Sequence, residues 1–192
     1  MEILTAIKRV PETGAKVNLT EDKQDIDTTS LGFTTSPHEE CAVEGSVQLV
    51  EEHGGTVTAL TMGTEEGTEQ LRSAIAMGAD DGILLETDGD KRGPTATAKA
   101  IADQVDDADA AFDLLVFGNE SADAANHHVG VRVAEELGLP VVTGIKDLEL
   151  DGDTLVAKRE IPGGSEVYEV DLPAVVTVKE GLNDPRYPSM RA

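Results

Sequence analysis

Short apolar blocks of strand length alternate with helix-length blocks along most of this chain, and this alternation limits its possible folds more than any other feature. Strands separated by helices pair in parallel through right-handed crossovers. The sequence therefore predicts an α/β fold, with a doubly wound, mostly parallel sheet flanked by helices. Strands are predicted at residues 3–7, 56–62, 82–86, 113–117 and 141–143.

Capping residues and apolar periodicity place helices between these strands. Ser36 and Pro37 are typical of a helix N-terminus, because serine caps free amides and proline suits the first turn. This helix is expected to end before Gly54 and Gly55. Further helices are predicted at residues 64–77, 94–105 and 123–137.

The pattern changes near the C-terminus, where short alternating blocks are separated by glycine-containing turns. Residues 147–171 therefore predict antiparallel hairpins added to an α/β core of residues 1–146. Residues 172–192 are expected to supply a last core strand and the start of a surface loop. We expect one domain over residues 1–192.

The segment 172–189 begins as a buried strand and ends in an irregular stretch. Val175 and Val176 lie in a β-branched, apolar run, and Pro185 and Pro188 stiffen the chain that follows. From physical arguments alone, this segment is either an exposed surface element or an ordinary final strand that ends in a stiff tail.

The charge of the chain is strongly negative, with 38 acidic and 15 basic residues and a net charge of −23. Nucleic acid is therefore not expected as a partner, because phosphate contacts need clustered lysine and arginine. The acidic residues lie in predicted loops and on outer helix faces, while 39% of the chain is hydrophobic. This pattern is typical of a halophile's protein, in which salt screens the self-repulsion.

The sequence features that report on cellular location favour the cytoplasm. The chain opens directly on an apolar alternation, with no basic leader and no apolar run long enough to span a membrane. Cys41 is the single cysteine, so no internal disulfide can form, and its apolar neighbours predict a small core residue. We expect a protein that is not embedded in a membrane.

The candidate binding loops follow the strands, because ligands of open parallel sheets bind at the carboxyl ends of strands. Residues 8–14, 62–67, 86–93 and 118–126 qualify. In the last loop, Gly118 allows close backbone approach and the polar residues after it surround a predicted helix N-terminus, which attracts phosphate. The pattern supports a nucleotide site or an unusually polar helix cap.

Motifs of known catalytic chemistry are missing from the sequence. Neither a GxGxxG fingerprint, nor a P-loop, nor a GxSxG elbow occurs. His127 and His128 are adjacent and would diverge by about 100° on a helix, so no metal site is expected. The absence of a nucleophile and base pair favours a binding or carrier role over catalysis, and a dehydrogenase is least favoured.

Several motifs, in order along nearly the whole chain, resemble the β subunits of electron-transfer flavoproteins. Ser36 stands where that family usually has asparagine. His38 stands where the family often has an aromatic residue. The matching segments are residues 6–11 (AIKRVP), 36–44 (SPHEECAVE), 71–80 (LRSAIAMGAD), 158–164 (KREIPGG) and 172–187 (LPAVVTVKEGLNDPRY).

The resemblance implies a heterodimer in which the α subunit holds most of the redox FAD and the β subunit binds a structural AMP. In electron-bifurcating relatives, a second FAD occupies the AMP site. The nucleotide contacts carried over from the family are Ala6, Ser36, Pro37, His38, Glu39, Met62, Gly118, Asn119, Glu120, Ser121, Ala122, Asp123, Ala124, Ala125, Asn126, His127, His128 and Val129.

The resemblance also implies a carrier that performs no bond chemistry by itself. It would pass electrons of fatty acid oxidation from acyl-CoA-type dehydrogenases to a quinone-linked oxidoreductase. Glu160, Tyr187 and Met190 are the residues expected at partner interfaces. Relatives continue beyond the equivalent of Ala192 with an arm that wraps the α subunit. The alternatives are a β subunit of an electron-bifurcating flavoprotein and a stand-alone nucleotide-binding module of the universal-stress type.

Overall fold

The chain folds into strands and helices in the order that its apolar pattern predicts. The computed structural model describes residues 1–12, 14–90, 92–109 and 111–189. The elements are β1 (Glu2–Ala6), β2 (Arg9–Pro11), β3 (Asn18–Leu19), β4 (Ile26–Asp27), β5 (Phe33–Thr35), α1 (Pro37–His53), β6 (Thr56–Gly63), a 3₁₀ turn (Glu65–Gly67), α2 (Thr68–Met77), β7 (Asp81–Glu86), α3 (Pro94–Asp106), β8 (Leu114–Gly118), α4 (Val129–Leu137), β9 (Val141–Ile145), β10 (Asp147–Asp151), β11 (Thr154–Ile161), β12 (Gly164–Asp171) and β13 (Ala174–Val178).

The central sheet has six strands in the order β7-β6-β1-β8-β13-β9. All five neighbouring pairs are parallel. Ile3 of β1 lies opposite Val57 on one side and Leu114 on the other. The order of the strands reverses between β1 and β8, which makes this junction the switch point of the sheet. The predicted doubly wound α/β fold is confirmed.

Helices cover both faces of the sheet, which explains why its strands are apolar almost without interruption. Leu114 and Val116 of β8 belong to the core on the α1 and α2 side. Leu115 and Phe117, the alternate residues, belong to the core on the α3 and α4 side. Cys41 is buried in the first of these cores, as predicted from its apolar neighbours.

Antiparallel strands are added to this core at two places. β10, β11 and β12 form a three-stranded sheet, and Leu155 and Ala157 of β11 are fully buried against the main core. This confirms the predicted hairpin addition. Between β1 and α1, β2 pairs with β5 and β3 pairs with β4, both antiparallel.

One predicted helix begins later than expected. The sequence predicts a helix over residues 123–137, whereas α4 starts at Val129. Ala125 and His127 have φ angles of 46° and 55°. These left-handed conformations cannot continue a right-handed helix, so residues 119–128 form a loop instead. In the part of the chain that the structure describes, no helix is long and apolar enough to cross a membrane.

Candidate functional site

A cleft of about 520 Å³ opens at the carboxyl ends of β6, β1 and β8. It lies at the switch point of the sheet, where open α/β folds bind their ligands. Its volume falls within the range of about 300–1,000 Å³ that is usual for small-molecule sites. The topology therefore places one ligand-sized cleft where the sequence predicts a binding site.

The cleft has an apolar wall and a polar rim. Leu60, Met62 and Phe117 contribute apolar side chains from the strand ends, and Ile101 adds one from α3. Hydroxyl, amide and imidazole groups surround them, several from the loop 119–128. Such a combination suits a ligand with a flat apolar ring and a polar tail.

A lysine and an aspartate form an ion pair within the cleft. Lys8 Nζ lies 2.7 Å from both carboxylate oxygens of Asp123. Partial burial raises the pKa of Asp123, but the hydrogen bond and charge of Lys8 outweigh it, so that this pKa lies below its usual value. Lys8 follows β1, so the pair ties the loop after β8 to the loop after β1.

A buried carboxylate lies at the start of α1, beside the same cleft. Glu39 Oε2 accepts hydrogen bonds from Ser36 Oγ at 2.8 Å and Ser36 N at 3.3 Å. Burial raises the pKa of Glu39 to about 7, although the bonds from Ser36 and the charge of Lys8 oppose the shift. A Cβ on Gly118 would lie 2.6 Å from Glu39 Cγ, so this close approach requires glycine.

A chain of hydrogen bonds holds the loop 119–128 on the sheet. Thr177 Oγ donates to Asn119 Oδ1 at 2.8 Å, and Asn119 Nδ2 lies 2.9 Å from His127 Nδ1. His127 Nε2 lies 2.9 Å from the carboxylate of Glu120. A neutral imidazole with its proton on Nε2 satisfies both contacts. These bonds stabilise the left-handed backbone that ends the loop before α4.

Most of the predicted nucleotide residues meet in this cleft. The residues that line it are Ala6, Glu39, Met62, Gly118, Asn119, Glu120, Ser121, Asp123, Ala124, Asn126, His127, His128 and Val129. Those that do not line it, among the residues the structure describes, are Ser36, Pro37, His38, Ala122 and Ala125. The binding roles of both groups stay predictions.

His38 lies next to the cleft rather than in its lining. Its Cβ would lie 3.2 Å from a Cβ on Gly118. Its Nδ1 is buried and has no hydrogen-bond partner among the described residues. Burial lowers the pKa of His38, although the charges of Glu120 and Glu180 oppose this, so the neutral imidazole is favoured.

The structure adds cleft residues that the resemblance does not supply. Lys8 and Arg9 come from the loop after β1, while Thr87, Asp90 and Arg92 come from the loop after β7. The rule that ligands bind at the carboxyl ends of strands does include both loops. In the described part of the chain, no three His, Cys, Asp or Glu side chains are grouped to hold a metal ion.

Comparison with known proteins identifies the family of the chain. Residues 25–192 match the family model described as Electron transfer flavoprotein domain. The chain belongs to the electron transfer flavoprotein family. Its relatives include the Electron transfer flavoprotein subunit beta of Bacillus subtilis, 36% identical over 99% of this chain and 73% of the relative. The proteins of the same name from Syntrophomonas wolfei and Mycobacterium tuberculosis are 35% and 34% identical.

The electron transfer flavoprotein resemblance also named three residues at partner interfaces. Tyr187 follows β13 and is 95% exposed. Glu160 lies near the end of β11, where its carboxylate pairs with Lys146 Nζ at 3.0 Å. Met190 lies outside the described residues. Their contacts with partner proteins stay predictions.

Proposed function

We propose that this chain is the β subunit of a heterodimeric electron transfer flavoprotein that binds AMP in the cleft between β1 and β8. The α subunit would hold most of the redox FAD, and this chain would form one wall of that site. The complex would carry electrons from acyl-CoA-type dehydrogenases towards a quinone-linked oxidoreductase in the cytoplasm. The chain itself would perform no bond chemistry.

The observation that supports this proposal most is the cleft at the switch point of the sheet, in a chain that belongs to the electron transfer flavoprotein family. Residues carried over from the family by sequence match come together in it, although they belong to different strands and loops. Membership of the family favours a subunit role over a stand-alone module of the universal-stress type.

The side chains of the cleft fit an adenine mononucleotide. Met62 and Phe117 offer apolar surface for a base, and Ser121 and Asn126 offer polar groups for a sugar and phosphate. Lys8 supplies a cation, which could share its hydrogen bonds between Asp123 and a phosphate. AMP would serve as a fixed structural ligand and take no part in electron transfer.

A second FAD is the alternative occupant, as in electron-bifurcating relatives. The cleft continues beyond the carried-over residues to the loop after β7 and the start of α3. Gly89, Arg92, Pro94 and Thr97 line this extension. That additional length is the feature that favours a ligand larger than AMP.

Identification of the bound nucleotides tests the proposal. The heterodimer would be purified from native cells in high salt, denatured, and its released nucleotides quantified. One FAD and one AMP per heterodimer are expected, whereas two FAD would support the bifurcating alternative. Isolation of the chain as an active monomer without an α subunit would contradict both, whereas stoichiometric FAD on this chain alone would contradict the AMP proposal.

A further inference from the structure

The cleft that would hold an anionic nucleotide carries more acidic than basic side chains. Among the described residues that line it, three are basic and four are acidic. The basic residues are Lys8, Arg9 and Arg92, and the acidic residues are Glu39, Asp90, Glu120 and Asp123. A phosphate therefore enters a site whose own carboxylates oppose it, and binding is easier if one of them becomes neutral.

Glu39 differs from the other three carboxylates in its burial and in its lack of a cation. It is only 7% exposed, and it forms no ion pair with any residue that the structure describes. Asp123, in contrast, bonds the ammonium group of Lys8, and Glu120 lies 2.9 Å from an imidazole nitrogen. Asp90 is exposed to solvent. The ionised form is therefore least favourable at Glu39.

Packing holds the carboxyl group of Glu39 in place. The space beside its Cγ is so narrow that a Cβ on Gly118 would lie only 2.6 Å away. Its Oε2 accepts both bonds from Ser36, and a proton on the other oxygen, Oε1, leaves these bonds intact. Glu39 can therefore change its charge without changing its conformation.

The ammonium group of Lys8 links the charge of Glu39 to the ligand. Lys8 is the cation whose charge acts most on Glu39, yet burial still raises the pKa of Glu39 to about 7. The same ammonium group bonds Asp123 and would face a phosphate. A bound phosphate adds negative charge and also reduces the effect of Lys8 on Glu39. Both changes favour the protonated form of Glu39.

The other titratable groups around this carboxyl group give it no second cation at ion-pair distance. Glu120 and Asp123 in the loop after β8 are acidic, as is Glu40 on α1. Burial lowers the pKa of His38, so its neutral form is favoured. Arg9, which also follows β1, lies 4.0 Å from a different, exposed glutamate. The surroundings therefore do not reverse the effect of a bound phosphate.

We propose that the cleft binds its nucleotide together with one proton, which Glu39 takes up from the solvent as the phosphate approaches Lys8. The proton adds to Oε1, and no bond of the nucleotide breaks. This inference rests on the proposed function, because an anionic ligand is what changes the charge balance of the site. The coupling is reciprocal, so protonation of Glu39 strengthens nucleotide binding and its deprotonation at higher pH favours release.

Calorimetry counts the protons directly. The heterodimer, freed of nucleotide, is titrated with AMP at pH 7.5 in buffers that differ in ionisation enthalpy, because the apparent binding enthalpy changes with that enthalpy in proportion to the protons taken up. The native complex should take up about half a proton per AMP, and its affinity should fall about fourfold from pH 7 to pH 8.5. The phosphate itself is nearly all dianion in this range, since its second pKa is about 6.

Two comparisons isolate the contribution of Glu39. Glu39→Gln keeps an oxygen that accepts the bonds from Ser36 but does not titrate, so proton uptake should vanish whatever its absolute affinity for AMP. Glu135→Gln, at an exposed carboxylate of α4, should take up as many protons as the native complex. Adenosine lacks the phosphate and should bind the native complex with little proton uptake, a comparison that does not depend on the folding of any variant.

Each contrary result points to a different failure. AMP that binds without proton uptake, and equally well at pH 7 and pH 8.5, would overturn the inference and leave the proposed function intact. Equal uptake in Glu39→Gln and the native complex would assign the proton to another group and overturn the role of Glu39. Equal uptake with adenosine and with AMP would exclude the phosphate as its cause. Failure of AMP to bind at any pH would contradict the proposed function, and the inference with it.

Discussion

Lys8 in the loop after β1 and Asp123 in the loop after β8 bond each other across the switch point of the sheet, with Nζ 2.7 Å from both carboxylate oxygens. The residues are 115 positions apart in sequence. The pair links the two strands whose divergence opens the cleft, so this charge-assisted contact helps to position the loop 119–128.

Breaking this pair should weaken nucleotide binding without unfolding the protein. Lys8→Met removes the cation that orders Asp123 and would face a phosphate. We expect about a tenfold weaker affinity for AMP, the scale of one hydrogen bond to a charged group. The unfolding free energy should change by less than about 1 kcal/mol, because solvent screens this partly exposed pair.

Isothermal titration with AMP, after removal of bound nucleotide, measures the effect of Lys8→Met. Lys99→Met is the matched control, since Lys99 also bonds both oxygens of an aspartate, Asp103, but on the exposed face of α3. An affinity for AMP equal in the two variants would show that the Lys8–Asp123 pair has no role in the site.

Glu39 should make stability depend on pH near neutrality. Burial raises its pKa to about 7 in the folded state, against 4.5 for the free group. Between these values the folded chain binds more protons than the unfolded one, so stability falls as pH rises. The stabilisation is complete below about pH 4.5 and is lost as the pH passes about 7, with a total of about 3 kcal/mol.

Glu39→Gln isolates this contribution, because the amide does not titrate and has nearly the same shape. The stability of the variant relative to the native protein should increase from pH 5 to pH 8, in denaturant titrations at fixed salt and fixed heterodimer concentration. Glu135→Gln, an exposed carboxylate of α4, is the control. A constant difference between Glu39→Gln and the native protein would contradict a raised pKa.

The sequence predicts those parts of the fold that local rules determine. Alternating apolar blocks predict the parallel sheet, and the Ser36–Pro37 pair predicts the start of α1 correctly. Local rules give the wrong structure for the loop 119–128, because its polar residues resemble the N-terminal cap of a helix. In the structure, Ala125 and His127 instead adopt left-handed conformations. Contacts with Thr177 and Lys8, distant in sequence, stabilise that backbone and leave no local signal.

The strand ends that form the site could be predicted from the sequence. The contacts between the residues of the site could not. The position of Gly118 and the loop after it follows from the end of a strand. The approach of Gly118 to Glu39 depends on how α1 packs over β8, which periodicity does not specify. The bonds of Arg186 to Glu44 and Glu51 join residues 142 and 135 positions apart, beyond the reach of any local pattern.

Gly118→Ala should destabilise the protein through a steric clash. The new Cβ would lie 2.6 Å from Glu39 Cγ and 3.1 Å from Glu39 N, and the second of these belongs to the helix backbone. Overpacking of this kind costs about 1–3 kcal/mol. We expect a lower melting temperature and a loss of bound nucleotide, because α1 and β8 must move apart at the cleft.

Gly164→Ala is the control for this steric argument. An added Cβ at Gly164 has no atom within 4 Å, and its φ lies outside the left-handed region. Calorimetry of both variants, with quantified nucleotide, separates the two cases. A melting temperature of Gly118→Ala equal to that of Gly164→Ala would mean that α1 adapts without cost.

Salt should stabilise this chain, because a net charge of −23 opposes compaction at low ionic strength. Screening shortens the Debye length from about 10 Å at 0.1 M to about 3 Å at 1 M, so the melting temperature should rise steeply with KCl and then level off. The double variant Glu135→Gln/Glu136→Gln removes two exposed charges of α4 and should reduce the slope. A melting temperature that stays flat from low to molar KCl would contradict adaptation to salt and leave the acidic surface without this explanation.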